Sequence, residues 1–319
     1  MHPAGSVIFF TVASGAGYGV LTFSGVLAAL GMLPVHWGAG FAVMLIGLGL
    51  VTAGLLSSTF HLGHPERAWR AFSQWRSSWL SREGVAAVVT YGPAAVLGWA
   101  WVIEGDPGSA FGRAAGAALA LTSLVTIFCT AMIYRSLKPV PAWHNGWTVP
   151  GYLVLGLGTG GVVFVAVMTA VSVPLPVVAS IAVALCLVGL GIKTGYWQAL
   201  RDGFPSPTRE SAVGIVVGGA VQPLEDPHSS DNYLMKEMGY RVGRKHADKL
   251  RRFAAVAGFA APAILLGLSI PVLSSGLGVG LTLAAAVTTL AGVLVERWLY
   301  FAEARHVVML YYRDRPEIG

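Results

Sequence analysis

The chain has 319 residues, of which 55% are hydrophobic and only 11% are charged, and its mean hydropathy is +0.67. Soluble domains contain about 25% charged residues, so this composition excludes a chain with a fully water-facing surface and predicts an integral membrane protein. The net charge of +6 therefore indicates basic loops that set membrane topology, and no nucleic-acid-binding motif accompanies it.

Eight apolar runs reach the roughly 20 residues that a helix needs to cross a bilayer. They cover about residues 6–32, 38–60, 84–103, 113–134, 150–172, 175–200, 253–274 and 277–300. We therefore predict an all-α integral membrane protein, with one membrane domain over 1–319 formed by a bundle of eight transmembrane helices. The pairs Gly15/Gly19 and Gly156/Gly160, each four residues apart, predict close helix packing in the first and fifth spans.

The basic residues lie almost entirely on one side of this predicted bundle. With eight spans, both termini share a side with the loops that follow even-numbered helices. That side carries nineteen lysines and arginines against one, Arg113, on the other. By the positive-inside rule the crowded side, with both termini, is predicted to be cytoplasmic. The long connection at 202–250 is predicted to be a cytoplasmic docking loop for a partner protein; a self-packed cap over the bundle is the alternative.

A polar stretch at 61–84, HLGHPERAWRAFSQWRSSWLSREG, separates the second and third runs. His61 opens it and Glu83 closes it, so both are expected at similar depth on the basic side. A site that oxidises or reduces a quinone needs hydrogen-bonding groups for the quinone oxygens and a titratable group that moves protons. A histidine and a partly buried carboxylate suit these roles. The alternative is that both residues only interact favourably with the dipoles of their helix ends.

Aromatic residues recur at three- and four-residue intervals within this stretch and are interleaved with arginines. They are Trp69, Phe72, Trp75 and Trp79. The spacing predicts a short amphipathic helix in the membrane interface, with its aromatics toward lipid and its arginines toward headgroups or a partner. Such a helix is a suitable roof for a lipophilic substrate, but an aromatic belt without a ligand gives the same pattern.

Ionisable residues inside membrane spans are costly and often functional. Lys193 in the sixth run and Glu296–Arg297 in the eighth are therefore a candidate intramembrane polar site, with snorkelling and a structural ion pair as the alternatives. Cys129 and Cys186 lie in apolar runs without a CxxC motif, which predicts no iron–sulfur cluster or zinc in this chain. The eight histidines form no pair suited to bis-histidine ligation, so no haem is predicted either.

Three stretches carry a resemblance to a known family. They are His61-Leu-Gly-His-Pro-Glu-Arg-Ala followed by Ser81-Arg-Glu83, the opening MHPAGSVIFFTVASGAGYG, and NYLMKEMGYRVGRKH. The chain resembles, over nearly its whole length, the membrane-anchor subunits of dimethyl sulfoxide reductases. The resemblance implies an anchor without metal, a docked iron–sulfur electron-transfer subunit, and a molybdopterin catalytic subunit beyond it.

The resemblance also implies which residues contact the quinone. The family's quinone-site histidine and glutamate fall on His61 and Glu83, which are expected to bind a quinone oxygen and to relay protons. Supporting positions predicted around them are Arg76, Ser78, Trp79, Arg82 and His64. The sequence leaves open whether the quinone is ubiquinone or menaquinone.

The predicted sidedness distinguishes two members of this wider group. Dimethyl sulfoxide reductases are generally exported, whereas the His61/Glu83 side of this chain is the arginine-rich one. The chain therefore looks more similar to the membrane subunit of the cytoplasm-facing sulfite-oxidising molybdoenzyme. We expect sulfite oxidation coupled to quinone reduction at the bacterial inner membrane, with the partner subunits facing the cytoplasm. The alternatives are a quinol-oxidising anchor of a dimethyl sulfoxide or similar reductase, a transporter, and a purely structural anchor.

Overall fold

The computed structural model describes residues 3–60, 64–214, 221–222, 224–225 and 246–312. Within these ranges the chain is helical and has no strand, and eight helical stretches are long and apolar enough to cross a membrane, which confirms the predicted fold class. The helices are α1 (Gly5–Ala29), α2 (Trp37–Thr59), α3 (Trp79–Gly98), α4 (Ala110–Arg135), α5 (Thr148–Ala170), α6 (Pro176–Asp202), the short α7 (Arg209–Val213), α8 (Ala247–Ala255), α9 (Ala261–Ser269) and α10 (Gly276–Ala302). A π-helical segment, Val256–Ala260, joins α8 to α9 within the seventh span, and another, Trp99–Ile103, extends α3.

The third span begins earlier than its hydropathy indicates. Hydropathy predicts it from about residue 84, but α3 begins at Trp79, where the Ser78 hydroxyl accepts a hydrogen bond from the Ser81 amide at 3.4 Å. Hydropathy alone ends a span at its charged residues, whereas a capped helix continues through them when their side chains find partners. Glu83 consequently lies in the second turn of α3 and is buried.

Two helices, α1 and α5, occupy the centre of the bundle. About four-fifths of their most apolar stretch is buried, 78% in each, against 33–50% in the other spans. α1 packs on α2, α4 and α5, while α5 also packs on α6 and α10. The predicted close packing is confirmed, because a Cβ added to Gly19 would lie only 2.8 Å from the Cα of Gly160. Glycine is required there because the two backbones touch.

Several contacts show which connections lie together at one end of the bundle. The Ser57 hydroxyl at the end of α2 donates to the Ser6 carbonyl near the start of α1 at 3.1 Å. The Val307 amide, after α10, donates to the Pro139 carbonyl in the α4–α5 connection at 2.9 Å. The Arg209 guanidinium, after α6, donates to two carbonyls of the C-terminal segment. We call this end, where the connections after α2, α4 and α6 meet the chain beyond α10, the basic face. Its assignment to the cytoplasm stays a prediction.

The docking loop predicted at 202–250 falls largely outside the described residues, which leave out 215–220, 223 and 226–245. The part that the structure describes includes α7 and the start of α8. The Thr208 hydroxyl caps α7 by accepting from the Ser211 amide. The docking role of this connection therefore stays a prediction.

Candidate functional site

The connection between α2 and α3 forms a short helix on the basic face. Residues Pro65–Gln74 adopt a 3-10 helix, rather than the α-helix suggested by the aromatic spacing, and none of its side chains is buried. We call the stretch from Pro65 to Ser78 the interface segment. Trp69 and Trp75 are 67% and 52% exposed, as expected of aromatics that face lipid or a partner. The segment meets the bundle through Phe72, since a Cβ on Gly84 would lie 3.3 Å from the Phe72 ring.

Arg82 fastens the interface segment to α3. Its Nε donates to the Trp75 carbonyl at 2.9 Å, and its Nη2 donates to the Arg76 carbonyl at 2.7 Å. The same guanidinium lies 4.3 Å from the centre of the Trp79 ring, which also meets Phe128 edge-on. Arg82 therefore uses two of its five N–H donors to hold the segment. A structural role accompanies the ligand-positioning role predicted for it.

The other predicted supporting residues lie around the segment and differ in their engagement. The Arg76 side chain is exposed and lies over the Trp75 ring, at 5.6 Å from its centre. The Ser78 hydroxyl caps α3. His64 is exposed, and its Nδ1 lies 3.0 Å from a carboxylate oxygen of Glu66. His61 lies outside the described residues, so its proximity to Glu83 stays a prediction.

Glu83 is the buried acid of this region. Its side chain is 4% exposed, and the Thr130 hydroxyl of α4 hydrogen-bonds to its carboxylate. Thr130 also lies 3.0 Å from the Thr126 carbonyl, yet a hydroxyl has one proton to donate. When Glu83 is ionised, that proton points to the carboxylate. When Glu83 is protonated, the acid donates to the Thr130 oxygen and Thr130 donates to the Thr126 carbonyl. The pair therefore accommodates both protonation states without moving a heavy atom.

Lys193, Glu296 and Arg297 form a second buried group, which we call the buried triad. The Lys193 ammonium pairs with one carboxylate oxygen of Glu296, and the Arg297 Nε lies 2.6 Å from the other. All three are at most 3% exposed, so the charges are paired inside the bundle and do not reach water by snorkelling. Arg297, one of the residues counted on the basic side, is therefore an interior residue.

Aromatic rings surround the buried triad. Lys193 Nζ lies 4.1 Å from the centre of the Tyr196 ring, and the Arg297 guanidinium carbon lies 4.3 Å and 4.9 Å from the centres of the Tyr152 and Tyr300 rings. Cations held over aromatic faces are stabilised by the ring quadrupoles. The triad and its rings therefore form a pre-organised group between α5, α6 and α10.

Thr130 and Tyr18 are two polar residues that sequence reasoning missed. Thr130 is 47 positions from Glu83, and threonines in apolar helices usually bond only to their own backbone four residues back. Tyr18 lies inside the first apolar run and is 2% exposed. The one available signal is weak: Thr126 and Thr130 share a helix face near the end of α4 that meets the start of α3.

The comparisons with known proteins place the chain in a family. The model of the DMSO reductase anchor subunit (DmsC) family matches residues 1–303. The chain is 35% identical to the third subunit, SoeC-type by its lettering, of a sulfite dehydrogenase from Allochromatium vinosum, across 98% of this chain and 99% of that protein. It is also 25% identical to the anaerobic dimethyl sulfoxide reductase chain YnfH of Escherichia coli K12, across 43% of this chain and 49% of that protein. The chain belongs to the DMSO reductase anchor subunit family, as the motifs predicted, and is a multi-pass membrane protein.

Proposed function

We propose that this anchor-family chain is the quinone-reactive membrane subunit of a complex iron–sulfur molybdoenzyme. The observation that carries the proposal is Glu83, a buried acid hydrogen-bonded to Thr130 next to an aromatic segment on the basic face. A lipophilic substrate that exchanges protons needs both an apolar roof and an acid withdrawn from bulk water. The interface segment and Glu83 supply these two features side by side.

The residues present fit a quinone in chemical type. Phe72, Trp75 and Trp79 offer apolar surface, and Glu83 offers a group that gains and loses a proton in place. His61 is proposed to hydrogen-bond one quinone oxygen, and Arg82, with donors remaining after its bonds to the segment, to balance negative charge near the ring. A quinone takes up two electrons and two protons when it is reduced. We assign proton delivery to Glu83 and electron delivery to the partner iron–sulfur subunit.

We further propose sulfite oxidation as the source of the electrons. The relative that aligns over nearly full length is named as part of a sulfite dehydrogenase. Oxidation of sulfite and water to sulfate releases two electrons and two protons, which matches the needs of one quinone. The arginine-rich composition of the basic face supports a cytoplasmic position for the molybdopterin and iron–sulfur subunits in the bacterial inner membrane. The second relative supports, as the alternative, an anchor that oxidises quinol for a dimethyl sulfoxide reductase.

The decisive experiment compares two carboxylates in the purified complex. Glu83→Gln keeps the shape of the side chain but removes its ability to exchange a proton. We expect sulfite-driven quinone reduction to fall about 100-fold, the lower end of what positioned acid–base groups contribute. Reduction of a water-soluble acceptor at the partner subunits should be unchanged. His61→Ala should behave similarly.

The matched control is Glu104→Gln, which changes an exposed carboxylate beyond the opposite end of α3 that accepts a hydrogen bond from Trp99. Full quinone-coupled turnover in an assembled Glu83→Gln complex would contradict the proposal. A purely structural anchor predicts that the complex retains no quinone. A transporter predicts solute flux through liposomes containing this chain alone.

A further inference from the structure

A small cavity lies inside the bundle between α1, α4, α5 and α10. Its volume is about 20 Å³, and its polar lining comes from Tyr18, Thr130, Tyr152 and Arg297. A bound water needs about 10–15 Å³ and two to four polar partners. The cavity therefore has room for one water molecule and enough groups to hold it.

Three of these lining residues have polar atoms that no protein group satisfies. The Tyr18 hydroxyl, the Tyr152 hydroxyl and the Arg297 Nη1 are buried and meet no hydrogen-bond partner among the described residues. Each side chain is more than nine-tenths buried. Burying such atoms without a partner is costly, and native structures resolve most cases with a protein group or an ordered water. Three such atoms around a water-sized space indicate that water fills it.

One side of the cavity leads directly to Glu83. Thr130 lines the cavity with its side chain and hydrogen-bonds to the Glu83 carboxylate. Because a hydroxyl both donates and accepts, Thr130 is able to take a proton from a water on one side and present one to the acid on the other. Glu83 itself does not line the cavity, so Thr130 is the contact between the two.

The other side of the cavity is held by the buried triad. Arg297 presents Nη1 toward the space while its Nε pairs with Glu296 at 2.6 Å, and Glu296 pairs with Lys193. A guanidinium only donates and keeps its charge, so Arg297 fixes the water's orientation without carrying a proton. The triad is held in place because all its members are buried and surrounded by rings. This arrangement pre-organises the Arg297 end.

We propose that this cavity binds one water molecule, and that the water exchanges protons with Glu83 through the Thr130 hydroxyl while Arg297 and the two tyrosine hydroxyls hold it. This inference rests on the proposed function, since it supplies the proton that Glu83 passes to the quinone. Tyr18 and Tyr152, which donate and accept, are the groups through which the proton path continues away from Glu83. The quinone then takes its proton from the bundle interior, and Tyr18, Tyr152 and Arg297 act as positioning residues.

The first test is direct and uses the unmodified complex. A high-resolution density map should show one water in the cavity, within hydrogen-bonding distance of Thr130 and of at least one of Tyr18, Tyr152 and Arg297. A cavity without density, in a map that resolves other buried waters, overturns the proposal. This measurement needs no variant to fold and no quinone to be present.

The second test removes the hydroxyls but keeps the rings. In the Tyr18→Phe/Tyr152→Phe double variant, quinone-coupled turnover should fall about tenfold, part of what positioned proton transfer contributes. The ratio of rates in H2O and D2O should rise, because proton delivery becomes slower relative to electron delivery. Tyr91→Phe is the matched control: the Tyr91 hydroxyl, on α3, bonds to Thr52 at 2.7 Å and does not line the cavity.

Quinone binding measured in the same preparations separates the two proposals. If the wild-type complex binds no quinone, the proposed function fails and the water site is judged by the density map alone. If quinone binds normally but the double variant keeps both wild-type turnover and the wild-type isotope ratio, the water path is wrong and the proposed function stands.

Discussion

Replacing Glu296 with glutamine should destabilise the bundle far more than replacing Lys193 with methionine. The buried triad contains two cations and one carboxylate, all at most 3% exposed. Its net charge is therefore +1. Glu296→Gln leaves Lys193 and Arg297 as two unpaired positive charges, whereas Lys193→Met leaves Glu296 and Arg297 as a neutral pair.

The expected magnitudes follow from this charge arithmetic. Removing one partner of a buried ion pair typically costs about 3–5 kcal/mol, because the remaining charge is left uncompensated. Lys193→Met loses the ammonium's contact with the Tyr196 ring, a cation–π interaction of up to about 2 kcal/mol when desolvated. It also removes the cost of burying that ammonium. We therefore expect a net change of about 2 kcal/mol or less for Lys193→Met.

Thermal unfolding of the detergent-purified complex measures this difference. A cost of about 3–5 kcal/mol corresponds to a fall of several degrees, since each kcal/mol shifts the midpoint by about 2–4 °C in domains of about 150–250 residues. The double variant Glu296→Gln/Lys193→Met holds one buried cation in place of two. It should therefore be more stable than Glu296→Gln alone, a non-additive result. Equal losses in the two single variants, or a double variant less stable than either, would refute the charge-based reasoning.

Three further predictions concern packing, the buried acid and the interface segment. Gly19→Ala should lower the free energy of unfolding by about 1–3 kcal/mol through overpacking, with Gly49→Ala, where an added Cβ meets nothing within 4 Å, as the silent control in the same thermal assay. Thr130→Val keeps the side-chain shape but removes the hydrogen bond to Glu83, worth about 0.5–1.5 kcal/mol if the acid is neutral and about 1.5–3 kcal/mol if it is ionised. Quinone-coupled turnover should fall while acceptor reduction at the partner subunits is retained, and unchanged turnover by both routes would contradict it. Arg82→Gln removes donors to two carbonyls of the segment, so limited proteolysis between α2 and α3 should become faster, and an unchanged rate would show that other contacts hold the segment.

The sequence was sufficient for the membrane fold because each span is a local signal. A run of about 20 apolar residues is recognisable without knowing its neighbours, and the same holds for Gly15 and Gly19, whose spacing marks one helix face. The misplaced start of α3 shows the limit of this approach. A charge such as that of Glu83 counts against a span in a hydropathy window, whatever partner the folded protein provides for it.

The partners of the predicted residues required the tertiary structure. Lys193 and Glu296 are separated by 103 positions, and nothing in either helix alone indicates that they pair. The sequence left snorkelling and an ion pair open, and burial decides between them. The same limit applies to Thr130, whose contact with Glu83 depends on how α3 and α4 pack. The proximity of His61 to Glu83 still rests on the motif.

The backbone contact between α1 and α5 has a consequence for biogenesis. Gly19 is synthesised 141 residues before Gly160, its packing partner. At about 5–20 residues per second, the glycine face of α1 waits roughly 7–28 s in the membrane for the helix that covers it. During that interval α2 and α4 are the completed helices that pack on α1 in the finished bundle. A nascent chain interrupted before α5 therefore exposes the small-residue face of its first helix to lipid, where quality-control proteases of the membrane are able to recognise it.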